Sequence, residues 1–164
     1  MSEIDRMLAA NAQGASQSPG PLPAPPARRV AVVACMDARM DVYRILGLQP
    51  GEAHVIRNAG GVVTQDTLRS LAISQHVLGT REVLLVHHTR CGMEGADEAA
   101  VLDRVEQATG VRPDWSVEGF ADVEEDVRAA VRELRACPYL VSTDVRGTVY
   151  DVDTGLLREV VVED

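Results

Sequence analysis

The chain has 164 residues, 46% hydrophobic and 25% charged, the balance of one soluble globular domain large enough for a proper core. Its formal net charge of -9 argues against nucleic acid and against anionic membrane surfaces, because both need basic partners. No apolar run approaches the roughly 20 residues of a membrane span, and the N-terminus "MSEIDRMLAANAQ" lacks the basic and apolar blocks of a secretory signal. The expected location is therefore the cytoplasm, where three cysteines stay reduced and serve metal binding, catalysis or packing.

In chain order, Ser2 and Asp5 form a capping signature ahead of a helical face of Ile4, Met7 and Leu8, which predicts a short amphipathic helix over 2–13. The Gly- and Pro-rich stretch "GASQSPGPLPAPPARR" cannot be helix and predicts a semi-rigid extended arm. Residues 1–28 thus form a helical arm with little partner surface of its own, and a neighbouring subunit is its natural outlet. Residues 29–164 read as one α/β domain without an internal repeat. "RVAVVAC" is a continuous apolar strand of the type buried on both faces of a parallel sheet. "DVYRILGL" is a short helix ended by Gly47, and "EAHVIRNAGG" is a second strand running into a glycine pair. "TQDTLRSLAISQHVLG" is a helix capped by Thr64, with Leu68, Leu71, Ala72 and Leu78 on its apolar face and Gly79 at its end. "REVLLVHH" is the third strand, and a helix follows between Asp97 and Thr109. "ADVEEDVRAAVRELRAC" places Val123, Val127, Val131 and Leu134 on one stripe before Pro138 stops it. "GTVYDVDTGLLREVVV" reads as two strands around a turn at Asp153–Gly155. The fold class is α/β: a central, mostly parallel sheet with an antiparallel C-terminal edge hairpin, helices on both faces and the N-terminal arm.

Open α/β sheets place their sites outside the carboxyl ends of the strands. The first strand ends in "CMDAR" and the third in "HHTRCG". If those strands are neighbours, Cys35 meets the His88-x-x-Cys91 turn, and two thiolates with one imidazole supply three ligands of a tetrahedral zinc site whose fourth position stays open, the catalytic arrangement. The spacing leaves a second reading open, in which the cysteines are small buried hydrophobes. By the same logic Asp37 and Arg39 are either a structural ion pair or a catalytic one.

The segments "CMDAR", "RNAGG" and "HHTRCGM", in this order and at these separations, resemble the β-class carbonic anhydrases, in particular the compact archaeal-type and mycobacterial members. The resemblance runs from about Pro21 to the C-terminal hairpin. It implies one zinc ion per chain on Cys35, His88 and Cys91, with Asp37 and Arg39 as the catalytic dyad. It also implies a homodimer or larger homo-oligomer in which N-terminal helices embrace the partner subunit. The activity it implies is reversible hydration of carbon dioxide to bicarbonate and a proton, with zinc-bound hydroxide as nucleophile oriented by the dyad. Two thiolates cancel the charge of zinc, so the apparent pKa for hydration is expected above the roughly 7 of a three-histidine site. A bare aspartate alongside could bind the metal itself, and a charge-assisted pair with Arg39 would prevent that.

Other functions remain on the same residues: hydrolysis of carbon disulfide or carbonyl sulfide, or non-catalytic binding of zinc or bicarbonate. Thiol redox chemistry lacks a C-x-x-C pair. Strand alternation and the His-x-x-Cys turn favour His88 over His87 as ligand. Cys137, His54 and His76 read as packing or surface residues. The glycines of "RNAGG" predict a sharp turn or a close backbone approach beside the metal. Arg90 stands in the metal turn where many relatives carry an acidic residue; a cation there aids anion binding or deprotonation, or points into solvent. The aromatic and glutamine pocket residues of the plant-type branch have no evident counterparts.

Overall fold

The computed structural model describes residues 1–163. Apolar, β-branched runs form five strands: β1 (Val30–Cys35), β2 (Ala53–Asn58), β3 (Glu82–His88), β4 (Asp144–Tyr150) and β5 (Leu157–Val160). Their order in the sheet is β2-β1-β3-β4-β5. β1 runs parallel to β2 and β3, β3 runs parallel to β4, and β5 pairs antiparallel with β4. The expected edge hairpin is therefore present, and its first strand is also the fourth parallel strand. It begins at Asp144, three residues before the apolar run at Gly147 suggests. The burial of β4 alternates over Asp144, Val145 and Arg146, exposed, buried, exposed, so charge hides a period-2 signal.

The helices are α1 (Glu3–Gly14), α2 (Val42–Leu46), α3 (Gln65–His76), α4 (Glu98–Thr109) and α5 (Val123–Ala136). Side-chain oxygens cap all five, Ser2 and Thr64 as the sequence suggests and Asp41 of α2 through the Arg44 N–H. Ser2 and Asp5 complete a reciprocal capping box on α1, and Thr64, Asp97 and Asp122 accept from the first turns of α3, α4 and α5. Gly47 ends α2 in the left-handed conformation. α3 stops at His76 with Val77 as its cap, three residues before Gly79, so Leu78 lies outside the helix.

The sheet separates two apolar clusters. On one face Ala31, Val33, Val83, Leu85 and Val145 pack with Leu68 and Leu71 of α3 and with Val127, Val131 and Leu134 of α5. On the other, Val32, Ala34 and Val86 pack with Val42 of α2, Met40, Leu48, Val62 and Phe120. Right-handed crossovers account for the division. The chain steps from β1 outward to β2 and then back across β1 to β3, so α2 and α3 fall on opposite faces. The reversal makes the carboxyl ends of β1 and β3 the switch point of the sheet.

α1 buries none of its residues, and Ile4, Met7 and Leu8 are 68%, 68% and 66% exposed. The segment after it is tied down near its end, where Ala27 and Arg28 donate backbone hydrogen bonds to Gly51 and Glu52. Among the described residues no helix is long and apolar enough to cross a membrane.

Candidate active site

The switch point brings together the three residues that the motifs single out. The ligand atoms of Cys35, His88 and Cys91 lie within 4.8 Å of one another, and all three residues are buried. The two sulfurs are 3.9 Å apart. Two thiolates bound tetrahedrally at about 2.3 Å from zinc would sit about 3.8 Å apart, so the spacing fits the ion without rearrangement. His88 is oriented for it as well. Its Nδ1 hydrogen bonds to the Thr89 carbonyl at 2.9 Å, while Nε2 is buried without any hydrogen-bond partner. A fixed Nδ1–H leaves Nε2 as a lone-pair donor, the tautomer that a metal requires.

The thiols differ in acidity. Burial raises Cys35, but the adjacent His88 ring and the Asp37 and Gly60 backbone N–H groups outweigh it and bring the thiol down to about 7. Burial pushes Cys91 up to about 11, with the Cys35 charge adding to the rise and a backbone hydrogen bond from Met93 opposing it. Without a cation the pair resists a second negative charge.

Asp37 and Arg39 form a two-pronged pair: Arg39 Nε donates to Oδ1 at 2.9 Å and Nη2 to Oδ2 at 2.7 Å. The Arg39 backbone N–H adds a third bond to Oδ1. These donors hold the Asp37 carboxyl well below the usual carboxylate range. Its Oδ2 lies 3.8 Å from His88 Nε2, so the carboxylate faces the cluster. Arg39 Nη2 also donates to the Arg90 carbonyl at 2.9 Å, which joins the dyad to the turn carrying Cys91. Arg90 adopts a left-handed φ of 55°, and its side chain forms an ion pair with Asp153 in the β4–β5 turn.

The "RNAGG" loop makes the close approach expected of it. Gly60 and Gly61 both have positive φ, and a Cβ on Gly61 would stand 2.8 Å from the Cys35 nitrogen. Arg57 donates from Nε to the Cys35 carbonyl at 3.0 Å and from Nη2 to the Asp37 carbonyl at 2.8 Å. Side-chain patterns gave no hint of this contact, because its acceptors are main-chain atoms.

The remaining candidates fall away from the cluster. His87 points to the opposite face, where its Nε2 meets Asp126 of α5 at 2.8 Å, and the edge of its ring contacts Phe120 past the end of the sheet. His54 bonds Ser74 Oγ and His76 bonds the Tyr139 carbonyl. Cys137 is half-buried at the end of α5.

Comparison with known proteins agrees with this geometry. Residues 30–157 match the family model described as carbonic anhydrase. The β-carbonic anhydrase 1 of Mycobacterium tuberculosis is 53% identical over 161 residues, covering 98% of this chain and 99% of that protein. The chain belongs to the β-carbonic anhydrase family. A crystal structure of carbonic anhydrase from Streptococcus mutans superposes with a TM-score of 0.90 at 41% identity, over 98% of this chain and 99% of that one. A carbon disulfide hydrolase of Acidithiobacillus thiooxidans is 33% identical over 153 residues, 80% of this chain and 76% of that protein. β-Carbonic anhydrases are zinc enzymes, and the Cys-His-Cys cluster has the donor set for that ion.

Proposed function

We propose that this carbonic anhydrase hydrates carbon dioxide reversibly, with one zinc per chain held by Cys35, His88 and Cys91 and with Asp37 and Arg39 as the dyad that directs the attacking water. One observation carries the reading: a buried trio of two sulfurs and an unpartnered imidazole nitrogen, faced by a carboxylate that is already saturated by an arginine. Zinc, when bound, supplies the Lewis acidity that makes a hydroxide nucleophile available near neutral pH.

The protein's own groups do the rest. Carbon dioxide and water become bicarbonate and a proton, so the site must orient an oxygen lone pair and let one proton leave. Asp37, kept anionic by Arg39, accepts a hydrogen bond from the attacking oxygen and turns its lone pair toward the carbon. A carboxylate paired on both oxygens has little tendency to become a ligand itself, so Arg39 also keeps Asp37 off the open position. A site that only stored zinc would have no use for this carboxylate.

Hydrolysis of carbon disulfide remains the alternative on the same residues, favoured by the 33% relative named for that reaction. The 53% likeness to a β-carbonic anhydrase over nearly the whole chain favours carbon dioxide. We further infer a homodimer in the cytoplasm. The bare Ile4, Met7 and Leu8 stripe of α1 would pack on a second copy, and a reducing compartment keeps Cys35 and Cys91 available as thiolates.

Stopped-flow hydration at matched zinc content tests the assignment. Wild type is expected to turn over, and Asp37→Ala to keep its zinc while kcat falls about 100-fold or more, within the range of a lost general base and orienting group. Wild-type protein that hydrolyses carbon disulfide steadily without hydrating carbon dioxide would contradict it, as would an Asp37→Ala variant of undiminished rate.

A further inference from the structure

The geometry points to Arg57 as a positioning residue for the proposed reaction, one that sets the separation between a metal ligand and the base. The inference rests on the function proposed above. It starts from where the sheet stops: the last β1–β2 register pair is Cys35 with Asn58, Met36 N–H to the Asn58 carbonyl is the final backbone bond between the two strands, and past it Asp37 has a local turn in which its carbonyl accepts from Met40 N–H. Beyond it the chain must place Asp37 against the cluster with no strand to guide it. Met36 cannot anchor this step by packing, because its side chain is 64% exposed.

The fork of Arg57 takes over that role. One planar guanidinium, projecting from β2, holds the carbonyls of Cys35 and Asp37, the two residues that flank Met36. The Asp37 side chain is fixed by Arg39, and Arg39 by the Arg90 carbonyl, so the carboxylate is referenced to the Cys91 turn. Arg57 references the same backbone to Cys35. Together the two arginines tie Asp37 to both sulfur ligands. A lysine here would keep the charge but lose the rigid two-pronged reach.

The alternative is that an exposed arginine merely tidies the end of an edge strand. Arg57→Met and Arg57→Lys distinguish the two, read by zinc affinity in chelator competition, by the visible spectrum of the cobalt-substituted protein, and by kcat against KM. For Arg57→Met the expected result is a zinc affinity lowered by about 10-fold or more and an altered cobalt spectrum. Its kcat should fall about 10- to 100-fold with KM little changed, the signature of misplaced reacting groups. Arg57→Lys should fall between Arg57→Met and wild type on each readout.

Wild-type zinc affinity, cobalt spectrum and kcat in both variants, whatever happens to their melting temperatures, would overturn the inference and leave the proposed function standing. Failure of the wild type itself to take up zinc or cobalt would overturn both.

Discussion

His87 and His88 differ by one position on β3 and, through strand alternation, by an entire face of the sheet. His87 Nε2 meets Asp126 and its ring lies against Phe120, whereas His88 presents a bare Nε2 to two sulfurs. His88→Ala should therefore lower zinc affinity by more than about 100-fold, since a ligand matters more than the outer-shell groups whose loss costs 10- to 100-fold. His87→Ala should retain zinc and instead lose about 2 kcal/mol or more of stability from a buried cavity and a broken hydrogen bond. Metal analysis and urea unfolding of the two variants check this; zinc lost with His87 and kept without His88 would reverse the assignment. Which histidine meets the two cysteines was legible in the sequence because both signals are side-chain patterns, a period of two and a His-x-x-Cys turn. The role of Arg57 was not legible, since it acts on carbonyl oxygens that every residue carries.

Among the elements, the loop after β2 is the least tolerant of change. A Cβ on Gly61 would approach the Cys35 nitrogen to 2.8 Å and the Ala34 carbonyl carbon to 3.0 Å, and the residue has a φ of +75°. Both contacts are backbone, so nothing flexible can yield. Gly61→Ala should cost about 2–4 kcal/mol from strain and overpacking and weaken zinc binding with it. Unfolding curves within about 0.5 kcal/mol of wild type, the scale of an ordinary surface change, would contradict that close approach. The glycine pair was readable as a turn, and the long apolar strands and capped helices were readable as elements. The ends were less so: Val77 caps α3 before Leu78 and Gly79, and β4 starts among charged residues at Asp144. At β4 local composition is overridden by tertiary pairing in register with β3, whereas α3 gives way to a local turn in which Thr80 N–H bonds the Ser74 carbonyl.

For the whole molecule, the sheet order follows from how an apolar β1 must be covered on both sides, and it brings two sequence-distant motifs to one switch point. It does not account for α1, whose apolar stripe stays about two-thirds exposed and buries none of its residues. If that stripe embraces a second copy, Ile4→Glu with Leu8→Glu should convert a dimer to monomer in sedimentation while the fold persists; an unchanged assembly would rule out the arm as its source. The central claim is more local and concerns what Cys35, His88 and Cys91 hold. X-ray absorption at the zinc edge of the purified protein tests it directly. Two sulfurs at about 2.3 Å and two nitrogen or oxygen scatterers at about 2.0 Å are the predicted shell, whereas a shell without sulfur, or protein unable to take up zinc, would contradict it.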